Sequence, residues 1–186
     1  LWVGSSDEGL GLYDAGRWRR FTADSGHLPT NTISMIRAIP DEAGGGRTLW
    51  LGTWGGDLLR IGAGPGFTRL PTPWPKLTGQ SVLDILQRKV DGRDELWVGT
   101  RLSGAWRQRD GRWEAMRAPG IDGQWRVSRI IEQRDRNGRD WLWASTDSGL
   151  ARFDGEAWTL FDSSTGFPDD QLAGLRLYPD ADGRPT

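Results

Sequence analysis

One five-residue run occurs four times in the chain and constrains its fold more than any other feature. The run reads Leu-Trp-x-Gly-Thr, with small variations, and begins at Leu1, Leu49, Leu96 and Leu142. Its tryptophans are separated by 48, 47 and 46 residues. A near-constant period of this size is typical of repeat proteins, in which each unit packs on its neighbours. We therefore divide the chain into four repeats, at about residues 1–48, 49–95, 96–141 and 142–186.

Each repeat contains four short runs typical of β-strands, joined by turns rich in Gly, Asp and Asn. The first runs are apolar and cover residues 33–39, 82–86, 127–131 and 172–178. The Leu-Trp run is the second, and the fourth run opens with an aromatic residue: Trp18, Phe67, Trp113 or Trp158. A helical period persists nowhere. The pattern predicts an all-β fold, a β-propeller of four-stranded antiparallel blades, and the fourfold register disfavours a β-sandwich.

Alternation along the Leu-Trp run places Trp and Gly on one face of the strand and Leu, Val and Thr on the other. We expect the glycine to make room for a bulky residue of the adjoining sheet. Seven tryptophans recur in register and are predicted to lie in the core: Trp2, Trp18, Trp50, Trp97, Trp113, Trp143 and Trp158. The other five, which are candidates for contacts outside the core, are Trp54, Trp74, Trp106, Trp125 and Trp141.

The amino-acid composition argues against several kinds of binding partner and chemistry. The formal net charge is −1, so the sequence lacks the basic excess of a nucleic-acid-binding domain. Cysteine is absent, which excludes disulfides, Cys-ligated zinc and thiol catalysis. No apolar run approaches the ~18 residues that a membrane-spanning helix needs, so we expect no direct membrane contact in this segment.

The repeats resemble the two-component regulator propeller repeat. Its pattern is roughly Leu-Trp-x-Gly-Thr, a turn, Gly-Leu-x-x-Tyr-Asp, an aromatic residue, and Gly-Leu-Pro-x-Asn. The first repeat matches it at residues 1–5, 9–14 and 28–31, and the last at 149–154 and 166–168. The middle two depart from it, with Gly62 in place of the Asp and with different long loops, 71–75 and 119–121.

The resemblance implies a periplasmic or extracytoplasmic sensor domain of a bacterial receptor, linked to a histidine kinase or diguanylate cyclase that this chain does not contain. Such repeats usually form propellers of seven blades. We therefore expect a ligand-sensing module that is not itself an enzyme, and a chain that is part of a longer receptor. The alternatives are a protein-interaction or self-assembly scaffold and a propeller lyase or hydrolase.

The order of the strands allows several arrangements of the blades. Residues 172–178 could pair with residues 1–5 and close a four-bladed ring. The repeats could also belong to a larger propeller of seven or eight blades, or associate with a second chain through open blade edges. The sequence leaves these arrangements open.

In a propeller, the turns between strands two and three and the loops between strands four and one lie on one face, where ligands usually bind. The candidate ligand-binding residues there differ between repeats: Trp54, Arg101, Asp147, His27, Asn31, Trp74, Trp125 and Arg126. Aromatic rings, cations and carboxylates together favour a small polar molecule or a glycan. The alternative is that these loops are polar and variable without a ligand.

The sequence gives little indication of a catalytic or metal-binding motif. His27 is the single histidine, and the sequence favours a solvated loop residue over a base or metal ligand. Residues 180–183 and 91–94 resemble calcium loops but stand where hairpin turns are needed, and no Glu follows at the required distance. We expect no catalytic residue, no metal and no cofactor.

Overall fold

The computed structural model describes residues 1–40, 46–62, 66–121, 124–172 and 174–178. Within these ranges the chain is built of β-strands, with one short 3₁₀ turn at Ser163–Thr165. It divides into two compact units, Leu1–Leu83 and Asp84–Thr186, which we describe separately. No helix in the described ranges is long and apolar enough to cross a membrane.

The strands form four sheets, one for each Leu-Trp run, and consecutive strands are neighbours in every sheet. The first sheet contains β1 (Trp2–Gly4), β2 (Leu10–Asp14) and β3 (Arg17–Phe21). The second contains β4 (Ile33–Pro40), β5 (Arg47–Thr53), β6 (Leu58–Ile61) and β7 (Phe67–Leu70). The third contains β8 (Val82–Val90), β9 (Arg93–Thr100), β10 (Ala105–Arg109) and β11 (Arg112–Met116). The fourth contains β12 (Val127–Arg134), β13 (Asp140–Thr146), β14 (Leu150–Phe153) and β15 (Trp158–Phe161).

The all-β fold with one blade-type sheet per repeat is therefore confirmed, but one predicted strand is wrong. Residues 172 and 174–178 form no strand. The Leu172 amide nevertheless donates to the Thr146 carbonyl at 2.9 Å, as the first residue of β4, Ile33, donates to the Ser5 carbonyl. In the other sheets the first strand pairs with a following Leu-Trp strand. Within the described ranges, residues 172 and 174–178 belong to none of the four sheets, and a backbone that is not paired with a neighbouring strand does not form one.

The hairpin turns use backbone conformations that explain their sequences. Asp91 and Gly92 join β8 to β9 with φ of 51° and 75°, the left-handed pair of a two-residue hairpin. The calcium-like pattern at 91–94 is therefore a turn. The similar pattern at 180–183 lies outside the described residues.

Each sheet has two faces, which we name by the Leu-Trp strand. The tryptophan face carries the Trp of that strand, and the leucine face carries the preceding Leu and the residue after the Trp. In the first unit the tryptophan face of the first sheet packs on the leucine face of the second. The resulting cluster contains Leu10, Leu28, Leu49, Leu51 and Leu59, with Trp2 and Phe21 packed against it.

The second unit repeats this packing between the third and fourth sheets. Trp97 is fully buried, with its ring centroid 5.1 Å from Phe153 and 5.9 Å from Trp158. Because aromatic side chains bury roughly 150–250 Å² each, this trio supplies much of the core between the two sheets.

The glycine of the Leu-Trp run has the predicted function. A Cβ on Gly4 would lie 2.7 Å from Ile33 Cγ2, one on Gly52 2.8 Å from Val82 Cβ, and one on Gly99 2.6 Å from the Val127 carbonyl. Each of these neighbours is the first residue of the next sheet. Between the first and second sheets, and between the third and fourth, the glycine thus sets how closely the two sheets approach.

The prediction that all registered tryptophans are core is wrong at Trp18. Trp50, Trp97 and Trp158 are buried, and Trp2, Trp113 and Trp143 are partly buried. Trp18 is 61% exposed because it lies on the leucine face of the first sheet, whose large side chains are open to solvent. The repeat register therefore predicts the face of the strand on which Trp18 lies, but it does not predict whether another sheet covers that face.

A buried carboxylate lies beside Trp97. Glu95 Oε2 accepts hydrogen bonds from Trp97 Nε1 at 3.0 Å and Arg88 Nε at 2.9 Å, and Glu95 Oε1 accepts from Arg109 Nε at 2.8 Å. Burial alone would raise the pKa of Glu95, but these hydrogen bonds together hold it below its ordinary value. The carboxylate is therefore ionised and paired in the folded protein.

Candidate ligand-binding loops

The turn between strands two and three is tied to the following long loop in every repeat. Gly9 N donates to the Asn31 carbonyl at 2.9 Å, Gly104 N to the Trp125 carbonyl at 2.9 Å, and Gly149 N to the Asp170 carbonyl at 2.6 Å. In the second repeat Gly55 N donates to the Gln80 carbonyl at 2.6 Å. The two loop classes therefore lie side by side within each repeat, as the sequence predicts.

The first and last repeats, which match the family pattern best, also share a side-chain contact. Asn31 Oδ1 accepts a hydrogen bond from Ala23 N at 2.8 Å. Asp170 Oδ1 makes the equivalent contact with Ser163 N at 2.6 Å. The predicted ligand residue Asn31 thus has a structural function, since its side chain holds the loop that it belongs to.

The middle repeats replace this contact with tryptophans. Trp74 is 2% exposed and donates from Nε1 to the Gly56 carbonyl at 2.7 Å. Trp125 is 6% exposed, and its indole occupies the space that a Cβ on Gly104 would need. The expectation that these rings offer faces to a ligand needs correction, because both are buried against the turn glycines.

Beside Trp74 lies a charged cluster that the sequence analysis did not find. Arg69 Nη2 and Lys76 Nζ donate to Asp57 Oδ1 at 2.6 and 2.7 Å, and Lys76 Nζ also donates to the Gly56 carbonyl at 3.0 Å. Burial would raise the pKa of Asp57, but the hydrogen bonds and charges of Lys76 and Arg69 lower it. An ionised carboxylate and two cations therefore stand together.

This cluster opens onto a depression of about 450 Å³, which we call the Asp57 depression. Its lining residues are Asp57, Arg69, Leu70, Pro71, Thr72 and Lys76. Asp57 holds the position that Gly9, Gly104 and Gly149 hold in the other repeats, directly before the third strand. That departure from the repeat is the sequence signal that identifies the site.

The remaining candidates of the first unit lie on loops and are exposed. Trp54 is 48% exposed, and its backbone N donates to the Thr32 carbonyl at 3.0 Å. His27 is exposed, and its Nδ1 lies 2.7 Å from Ser25 Oγ. Its ring lies edge-on to Phe21, with centroids 5.3 Å apart.

In the second unit the structure brings two candidates together. Asp147 Oδ1 accepts a hydrogen bond from the backbone N of Arg126 at 3.0 Å, and both residues are exposed. Arg101 is also exposed, on the turn that follows β9. The placement of all eight residues around one mouth stays a prediction. Across the described ranges, no group of three or more His, Asp or Glu side chains is placed to hold a metal ion.

These features define a class of protein: a repeat protein of blade-type antiparallel sheets, whose strands follow a common pattern and whose loops differ. No family model and no curated protein matches the sequence. Solved structures of the extracellular domain of BT4673 from B. thetaiotaomicron are similar to it in fold.

One of these structures, described as belonging to a one-component system, matches 98% of this chain with a TM-score of 0.70 and 21% identity. Another, described as belonging to a hybrid two-component system, matches 98% with a TM-score of 0.70 and 22% identity. The chain spans about a quarter of the length of these extracellular domains, 24% and 23%. The likeness agrees with the propeller repeat that the sequence resembles.

Proposed function

We propose that the chain is a non-catalytic, ligand-binding part of an extracytoplasmic receptor that senses a small polar molecule or a glycan. The repeat pattern and the fold shared with an extracellular domain of a signalling protein support this function. The output would be a kinase or cyclase elsewhere in the receptor. Binding would act on that output by favouring one arrangement of the receptor over another, which requires different affinities for the two.

The observation that carries the proposal is the Asp57 depression. Arg69 and Lys76 are 59% and 47% exposed at their side chains and line the depression together with Asp57. A guanidinium has five N–H donors and an ammonium three, so the pair offers more donors than Asp57 and the Gly56 carbonyl accept. Leu70 and Pro71 add apolar wall. Charged donors beside an apolar wall suit a hydroxylated or carboxylated ring compound.

A thermal-shift screen tests the proposal with neutral and acidic mono- and oligosaccharides and with small carboxylic acids. We expect saturable stabilisation by at least one class, because a ligand that binds only the folded state raises the unfolding temperature. Arg69→Ala should abolish the shift. The matched control is Arg60→Ala, which removes an exposed arginine outside the depression.

Two results would count against this function. One is the absence of any saturable shift across the screen. The other is a shift that Arg69→Ala leaves unchanged, which would place the ligand elsewhere. Trp54→Ala and Arg101→Ala then test the other predicted loops in the same assay.

A further inference from the structure

The Asp57 depression carries more positive than negative charge. Arg69 Nη2 and Lys76 Nζ both donate to the same oxygen, Asp57 Oδ1, at 2.6 and 2.7 Å. The other oxygen, Asp57 Oδ2, accepts a hydrogen bond from Thr53 Oγ1 at 3.4 Å. Two cations thus share one carboxylate, so the side chains that line the depression carry one excess positive charge.

The first repeat has a similar contact without the excess of charge. Arg20 on β3 has the register position of Arg69 on β7, and it forms an ion pair with Glu8. Arg20 Nε also donates to the Glu8 carbonyl at 3.0 Å, as Lys76 Nζ donates to the Gly56 carbonyl at 3.0 Å. One cation meets one carboxylate there, so the second repeat differs by the additional cation Lys76.

The depression offers a ligand more free donors than free acceptors. Among the described residues, Arg69 donates one of its five N–H groups and Lys76 two of its three. The Gly56 carbonyl already accepts from both Lys76 Nζ and Trp74 Nε1, and a carbonyl oxygen has two lone pairs. The ligand atoms that bind here should therefore be acceptors, and an ionised carboxylate has acceptors only.

The loop that carries Lys76 is ordered without a ligand. Proline occupies positions 71, 73 and 75 of the segment 71–76 and fixes φ at each of them. Trp74, two residues before Lys76, is buried and anchored by its hydrogen bond to the Gly56 carbonyl. Because this loop is already held in place, ligand binding pays less conformational entropy to order it.

We propose that the Asp57 depression binds a carboxylate carried on a hydroxylated ring, such as a uronic acid. Arg69 and Lys76 donate to the ligand carboxylate, since hydrogen bonds between two charged groups are stronger than those to a neutral hydroxyl. Leu70 and Pro71 form the wall against the C–H groups of the ring. One carboxylate matches the one excess charge, whereas a phosphate group carries up to about two negative charges. This inference rests on the proposed function and narrows its ligand to an acidic one.

The first test compares each uronate with its neutral parent sugar by isothermal titration calorimetry. The pairs are glucuronate and glucose, galacturonate and galactose, and mannuronate and mannose. We expect at least one uronate to bind at least about tenfold more tightly than its parent, and added NaCl to weaken binding of the uronate alone. Inorganic phosphate is a further probe. Phosphate that binds as tightly as the best uronate indicates a general anion site and overturns the assignment to a carboxylated ring.

The second test removes the cations one at a time. Arg69→Gln and Lys76→Gln should each weaken uronate binding by at least about tenfold, because each removes a charge-assisted hydrogen bond. Arg20→Gln is the matched control, since it removes an exposed arginine from the same register position of the first repeat. Circular dichroism verifies that the variants are folded. Uronate binding that Lys76→Gln leaves unchanged overturns the inference.

Failure of this inference can be distinguished from failure of the proposed function. A neutral sugar that binds as tightly as its uronate, and whose binding Arg69→Gln abolishes, overturns the acidic ligand but supports the proposed function. Absence of binding by all three uronates also overturns the inference. The proposed function fails only if the wider thermal-shift screen also finds no ligand.

Discussion

At the scale of single residues, two kinds of glycine make these sheets possible. Those of the Leu-Trp run give space to the next sheet, and those of the turns have positive φ. Gly104 is a turn glycine that must also leave space for a neighbour. Its φ is +68°, and the Trp125 indole fills the space where a Cβ would lie. Gly111 has a similar φ of +74°, but nothing lies within 4 Å of the position of its absent Cβ.

This contrast predicts different costs for the same substitution. Gly111→Ala should lower the free energy of unfolding by about 1–2 kcal/mol, since the left-handed backbone conformation disfavours a residue with a Cβ. Gly104→Ala should cost about 1–3 kcal/mol more, because the new methyl group also overlaps the indole. Urea unfolding of both variants measures the difference. Equal losses would mean that Trp125 moves away freely.

At the scale of elements, the long loops are held in two ways. The first and last repeats use a short polar side chain, Asn31 or Asp170, that binds the backbone of its own loop. The middle repeats bury a tryptophan against the turn instead. The departure of these loops from the family pattern is therefore compensated by packing, and in the second repeat it leaves the Asp57 depression beside Trp74.

Trp74 and Trp54 should respond differently to the same change. Trp74→Phe removes the hydrogen bond to the Gly56 carbonyl and some buried volume, so we expect a loss of about 2 kcal/mol. Trp54→Phe alters a half-exposed side chain and should cost about 0.5 kcal/mol or less. Denaturant unfolding of the pair measures both. A larger loss at Trp54 would contradict the assignment of Trp74 as the structural residue.

At the scale of the whole molecule, positive and negative charges are nearly balanced in number. The pKa values of several carboxyl groups nevertheless change when the chain folds. Hydrogen bonds outweigh the opposing effect of burial and lower the pKa of Asp57 and Glu95. Hydrogen bonds also lower the pKa of the surface residues Asp135, Asp140 and Asp162. A carboxyl whose pKa falls on folding binds its proton more weakly in the folded state, so acid favours unfolding.

For Glu95 the sign of the pH dependence is testable. Its contribution should be complete above its ordinary pKa of 4.5 and should be lost as the pH falls through the lower folded value. Glu95→Gln leaves Arg88 without its buried carboxylate and should cost about 3 kcal/mol at pH 7. The difference from wild type should shrink toward pH 3.

The control for this prediction is Glu114→Gln. Glu114 pairs with Arg107 at 2.6 Å, but its side chain is 60% exposed. An exposed pair is worth about 1 kcal/mol or less, so this variant should unfold close to wild type at both pH values. A Glu95→Gln deficit that does not change between pH 7 and pH 3 would contradict the ionised, paired state of Glu95.

Much of the fold was predictable from the sequence, because repetition reveals which residues share a function. The fifteen strands of the described ranges follow the four-run pattern, and the glycine of the Leu-Trp run packs as expected. The candidate site was less predictable. Trp74 and Trp125 look like free aromatic residues in the sequence, and their burial follows only from how their loops fold back onto the turn glycines.

By itself the sequence determined the period, the strand order and the two faces of each sheet, because these depend on local alternation and turn chemistry. Tertiary structure alone decided which equivalent residues are core and which are surface. Trp18 and Trp158 hold one register position, yet the first is exposed and the second is buried. The physical reason is that a side chain is buried only where another sheet packs against it. The local sequence of a strand does not show whether such a sheet will be there. The Asp57 depression has the same origin, since Arg69 and Lys76 meet Asp57 only after the second repeat has folded.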